Sequence, residues 1–245
     1  MFSAIGLKRP NIVSEAIQFA IPRITHNQKI YRKYKNDLDV VLRALRKSDA
    51  DEEEQIYEAL KNKSWLPAKD PISRKIKLFK PEEIYYPNKE LKTYLGKTKT
   101  AKYLDTNYLL NGKSYYRLKE QFQQIGLFSI PRRYFINDDE VIFEDNGNFN
   151  WNDDTDNLEG LKEFLSKKID KKRSILLWNI LLECRKEWGD INYSDAGFIQ
   201  LLKKERWVFD KYNIKRKPNE LTISELDEAY SSDLESGMTL QIALK

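Results

Sequence analysis

Two stretches far apart in the chain read alike, and this likeness constrains the fold more than any composition figure. DEEEQIYEALKNKSWLPAKD (51–70) runs into KIKLFKPEEIYY (75–86), and DAGFIQLLKKERWVFDKY (195–212) runs into NIKRKPNELTI (213–223). Each is a short helical pattern ending in basic residues, then a tryptophan, then an alternating stretch that fits a β-hairpin. Short markers frame the pattern: FSAIGL at 2–7, FQQIGL at 122–127 and TLQIAL at 239–244 align without gaps, with Ile5, Ile125 and Ile242 in register. Trp65 and Trp207 are the equivalent anchors. The expectation is an α+β fold, mostly helical, of two diverged tandem units, 1–121 and 122–245, each a helical bundle with a winged-helix-like β-hairpin. A third unit would begin at the C-terminus, which suggests a piece of a longer protein.

Local signals follow that order. Leu38, Val41, Leu42 and Leu45 recur at helical spacing, and Asp51, Glu52, Glu53 and Glu54 suit the first turn of the next helix. The spacing predicts a long helix over 171–188, with Leu177, Leu181, Cys184 and Trp188 on one stripe and Trp178 and Leu182 beside it. The first hairpin is expected at 66–69 and 76–79, with Pro81 and Pro218 stopping the second strands at matching places.

Composition narrows the chemistry. The chain has 245 residues with 40% hydrophobic and 12% aromatic content, enough for a core and too much for wholesale disorder. One cysteine, Cys184, excludes an internal disulfide framework and a thiolate zinc cluster, and one histidine, His26, excludes a multi-histidine metal site. No cofactor is expected. No basic leader precedes an apolar run, and no stretch approaches the roughly 20 apolar residues of a bilayer span, so a cytoplasmic protein without a membrane partner is expected.

Several motifs fail on inspection. GKT at 96–98 and GKS at 112–114 resemble the end of a phosphate-binding loop, but the leading glycine is replaced by Leu91 and Asn107. EDNGNFNWNDDTDN (144–157) is rich in oxygen ligands yet lacks the glycine of a calcium loop; a turn at Asn146-Gly147, with Asp153, Thr155 or Asp156 capping the next helix, fits better. Cys184 falls on an apolar stripe that would suppress its thiolate, and His26 reads as a solvated loop imidazole. The carboxylates show no spacing that selects an acid/base pair.

Charge is uneven. Residues 1–121 hold 25 basic and 15 acidic residues, and 122–245 hold 18 and 23. Lys167, Lys168, Lys171, Lys172 and Arg173 form one basic group, and Lys203, Lys204, Arg206, Lys215, Arg216 and Lys217 another around Trp207. These are the candidate surface for an anionic partner such as nucleic acid.

A family resemblance joins these features. WLPAKDPISRKIKLFKPEEIYYPNKELKTYL, AKYLDTNYL and FQQIGLFSIP resemble segments that lie downstream of the ATPase in very large sacsin-like proteins, which begin with an Hsp90-type ATP-binding domain. NLEGLKEFL, SILLWNILLE and FIQLLKKERWVFD are similar to the segment that follows in bacterial members. The resemblance implies a connecting or partner-binding region, with proteins or other domains of the parent chain as partners, nucleic acid as the alternative, and no small-molecule substrate. It does not bring ATP binding, because the Glu-x-x-x-Asn-Ala box and the Asp-x-Gly-x-Gly loop of that ATPase are missing; Asp145-Asn146-Gly147 lacks the second glycine.

Overall fold

A computed structural model describes residues 11–27, 29–96, 98, 100–109, 119–137, 140–143, 156–188 and 196–230. The markers at Ile5 and Ile242, the GKS sequence and the Asn146-Gly147 turn lie outside these residues. The fold mixes helices with small sheets, as the α+β reading expects. The chain forms two compact units: 1–87 with 99–129, and 88–98 with 130–245.

In the first unit, α1 (Ile12–Glu15) and α2 (Ile21–His26) are joined by a π-helical stretch, Ala16–Ala20. Pro22 offers no N–H, and just before it the Ile21 N–H reaches back to Ala16 O, the wider spacing of a π turn. Against this helix pack α3 (Tyr34–Leu45) and α4 (Ala50–Leu60). The start of α4 is fixed by a capping box: Glu52 N–H donates to Asp49 Oδ1 at 3.0 Å and Asp49 N–H to Glu52 Oε2 at 3.4 Å. Leu38, Val41, Ile56, Trp65 and Leu66 lie in its core without exposure.

After α4 comes the hairpin of β1 (Leu66–Lys69) and β2 (Ile76–Phe79), in the register Leu66↔Phe79 to Lys69↔Ile76. Pro81 opens a 3-10 turn, Pro81–Glu83, which leads to β3 (Ile84–Tyr85). That strand pairs in parallel with β4 (Lys102–Tyr103), and Leu104 bridges back to Ala68. The unit ends in α6 (Lys119–Gln124) and the Phe128 bridge to Tyr85.

The second unit takes α5 (Lys89–Leu95) from the segment between β3 and β4. Its three-stranded sheet has the order β6–β5–β7, from β5 (Arg133–Asn137), β6 (Glu140–Phe143) and β7 (Asn157–Leu158). Then follow α7 (Leu161–Leu165), α8 (Lys171–Trp188), α9 (Gly197–Lys204) and the short hairpin of β8 (Val208–Phe209) and β9 (Lys215–Arg216). Leu177, Trp178, Ile180 and Cys184 are the buried face of α8, while Leu181 and Leu182 are half-buried.

The expected carboxylate cap of α7 is corrected. Gly160 occupies the N-cap at φ 79° with no side-chain cap, and a Cβ there would meet Leu95 Cδ2 at 2.9 Å. Asp156 instead is fully buried in an ion pair with Arg133, itself fully buried, while Asp153 and Thr155 lie outside the described residues. A buried carboxylate needs a cation more than a helix needs a cap.

Candidate functional site

The two tryptophans and their hairpins carry matching backbone contacts. Trp65 N–H donates to Phe79 O at 3.0 Å, and its carbonyl accepts the Tyr34 hydroxyl from α3. Trp207 N–H donates to Arg216 O at 3.1 Å, and its carbonyl accepts the Ser174 hydroxyl from α8. Both indoles are fully buried. The Trp207 Nε1–H finds Leu202 O at 3.0 Å, whereas Trp65 Nε1 has no hydrogen-bond partner among the described residues.

An aspartate holds each hairpin tip. Asp70 Oδ1 accepts from Ile72 N at 2.9 Å and Ser73 N at 3.0 Å, and Asp210 Oδ1 from Tyr212 N at 2.9 Å and Ile214 N at 2.8 Å. Their second oxygens face Lys77 and Arg216. The Lys77 ammonium, together with the tip amides, draws the Asp70 carboxyl well below the usual carboxylate range. At Asp210 desolvation opposes this, but the Ile214 amide and the Arg216 guanidinium prevail and lower it. Arg74 and Asn213, at φ 58° and 63°, close the turns in the left-handed region.

Beyond each hairpin the prolines act alike. Lys80 N–H donates to Glu83 Oε2 at 3.0 Å, and Lys217 N–H to Glu220 Oε2 at 3.2 Å, so each proline begins a capped 3-10 turn. Further along, Leu104-Asp105-x-x-Tyr108 and Leu226-Asp227-x-x-Tyr230 repeat a spacing that the sequence reading did not single out. Asp105 N–H donates to Pro67 O at 2.8 Å and Asp227 N–H to Phe209 O at 3.3 Å. Tyr108 packs edge-on to Tyr34 at 6.2 Å, and the Tyr230 hydroxyl sits 2.6 Å from Ser174 Oγ. The Leu-Asp-x-x-Tyr spacing was visible in the sequence and would have found both.

The basic groups are partly spoken for. Arg216 faces Asp210, Arg206 lies 3.7 Å from Glu220, and Lys171 bonds Asp227 at 2.6 Å. Burial would raise the Asp227 carboxyl, but the Lys171 bond outweighs it and lowers it. Arg173 donates to Phe164 O at 2.9 Å and lies over the Phe164 ring. Lys167, Lys168, Lys172 and Lys204 are exposed and Lys203, Lys215 and Lys217 half-buried. Lys204, Lys215 and Lys217 have no carboxylate partner among the described residues.

Other candidate groups are committed to structure. Cys184 is fully buried, and desolvation, aided by the nearby Glu183 and Glu187 charges, pushes its thiol well above the ordinary value. His26 ends α2 and does not lie in a loop; its Nδ1 is 2.7 Å from Pro22 O. Gly96 of the GKT sequence terminates α5 at φ 61°. Burial works to raise the Asp37 carboxyl, yet bonds from Arg23 Nε at 2.9 Å and the Tyr31 hydroxyl at 2.5 Å hold it low. Among the described residues, no group of three or more His, Cys, Asp or Glu side chains could hold a metal ion.

No protein-family model, curated protein or solved structure matches the chain.

Proposed function

We propose that the chain is a non-catalytic, partner-binding segment of a larger sacsin-like protein, built from two tandem helix–hairpin units of winged-helix-like layout. One observation carries the reading: several backbone and side-chain contacts around Trp65 recur around Trp207, although the indole N–H and the closing tyrosine are engaged differently at the two sites. A helix hydroxyl on the tryptophan's backbone carbonyl, an aspartate in the tip, a capped proline turn and an Asp-x-x-Tyr closure appear in both. These side chains hold hairpins to helices. Reactive types such as Cys184 and Asp37 are likewise engaged in burial or ion pairing. Partners are proteins or other domains of the parent chain.

A second reading, a nucleic-acid module, is favoured by Lys204, Lys215 and Lys217 near the Trp207 hairpin. Titration of labelled duplex at low and high salt separates the two, because phosphate contacts give a steep salt slope. The leading reading expects no such slope and no magnesium-dependent ATP turnover above a buffer blank. A steep slope turns the assignment to nucleic acid, and turnover that co-purifies with the chain and is abolished by a point substitution ends it.

A further inference from the structure

The two hairpin tips hold large apolar side chains out in water. Ile72 at 82% and Tyr212 at 73% are the most exposed of the large apolar side chains among the described residues, and Ile214 is 48% exposed. The tips are stiff: besides the aspartate bonds, Asp70 N–H donates to Lys75 O at 2.9 Å and Asp210 N–H to Ile214 O at 3.0 Å. A side chain presented on a stiff turn loses little entropy when it is buried against a partner. The surroundings are basic. Asp70 and Asp210 are neutralised by Lys77 and Arg216, which leaves Lys69, Arg74 and Lys75 at the first tip and Lys211 and Lys215 at the second. Lys211 also reaches Ser224 O at 3.3 Å, lies over the Tyr212 ring and interacts with the nearby Glu225 carboxylate, so Lys215 is the less engaged cation at the second tip.

We propose that the Ile72 and Tyr212 hairpin tips are peripheral docking elements for an anionic lipid surface. This goes beyond the partner-protein reading and revises the expectation that no membrane is involved. Among the described residues no helix is long and apolar enough to cross a bilayer, and a tip contact needs none. Lipid fits the chemistry better than a duplex does. An aliphatic Ile72 has no π-face for stacking, and wedging it between base pairs costs unstacking. At a bilayer interface the aliphatic group sinks below the headgroups while the lysines and arginine stay among the phosphates. Each basic residue near such a surface strengthens binding about fivefold, and burying a side chain of this size contributes roughly tenfold or more. Each tip alone gives weak, reversible attachment.

The test is sedimentation of the full chain with phosphatidylcholine vesicles, with and without phosphatidylserine. Binding is expected only with phosphatidylserine. The double substitution Ile72→Ser with Tyr212→Ser should weaken it at least tenfold with an unchanged thermal midpoint, since both side chains are exposed. Arg74→Gln with Lys75→Gln should weaken it by a similar factor. Absence of binding overturns the proposal, as does binding indifferent to the Ile72 and Tyr212 substitutions, which would mark diffuse charge attraction. Preference for labelled duplex over these vesicles also overturns it. Failure here leaves the partner-protein reading untouched, because that reading is decided by turnover and duplex binding.

Discussion

The Tyr230 hydroxyl and Ser174 Oγ lie 2.6 Å apart, and the direction of their bond is set by what each does next. Ser174 has one proton and donates it to Trp207 O, so Tyr230 must be the donor between them. Phe209 N–H in turn donates to the Tyr230 oxygen at 3.2 Å. The chain Phe209 to Tyr230 to Ser174 to Trp207 ties the C-terminal end of the described residues through α8 to the hairpin.

Breaking this chain is expected to destabilise the second unit. Ser174→Ala takes the donor from a buried carbonyl and the acceptor from Tyr230, at about 1–3 kcal/mol. Tyr230→Phe should fall in the same range, and the double variant should lose less than the sum, because the two share one network. Urea unfolding with an unchanged m-value is the measurement. Strict additivity would show that the two hydroxyls act independently.

Acid sensitivity follows from the carboxylates. Those of Asp37, Asp210 and Asp227 are all lower in the folded chain than in the unfolded one. A depressed folded value means stability that is present above the unfolded value of about 4 and lost as pH falls through the folded one. Stability should be flat from neutral pH down to that region and then drop. Asp37→Asn should cost about 1–3 kcal/mol at neutral pH, since the Arg23 side chain that faces it is half exposed. Its deficit relative to the parent should shrink as pH falls below ~4, where the carboxyl of the unfolded parent takes up a proton and the folded one does not yet. A deficit constant with pH would place the effect in packing and not in the Arg23 pair.

Local pattern made much of the fold legible. The bounds of β1, β2 and α8 agree with expectation because each rests on period and turn chemistry within a dozen or so residues. What was missed depends on partners distant in the chain. Nothing near Asp156 announces that Arg133 will neutralise it, and no local rule places Gly160 against Leu95. Residues 88–98 fall inside the expected first unit, 1–121, yet they cluster with the second. Among the basic residues nominated for an anionic partner, charge alone could pick out Arg206 and Arg216, but the ion pairs that engage them appear only with the fold.

That assignment of 88–98 is testable through Tyr94. Its ring stacks on Phe164 at 5.1 Å and is almost wholly buried. Tyr94→Ala should destabilise by about 3 kcal/mol. Hydrogen exchange should show the loss of protection in α7 and α8, the elements that α5 packs against. Undiminished protection over 161–188 in the variant would mean that α5 contributes nothing to that unit.

Cys184 gives a probe of whether the second unit opens at all under native conditions. Its side chain is fully buried on α8, and burial, with two glutamates on the same helix, keeps the proton on sulfur. Since the thiolate is the reactive form, modification must wait for an opening that both hydrates and deprotonates the group. A disulfide-exchange reagent should therefore react with the native chain at a rate set by unfolding, rising in step with the urea-unfolded fraction. Ser174→Ala should speed the reaction, since it lowers the free energy of opening. Rapid labelling of the native chain, with no acceleration in urea, would instead reveal an accessible, activated thiol, and would reopen nucleophilic chemistry for this fold.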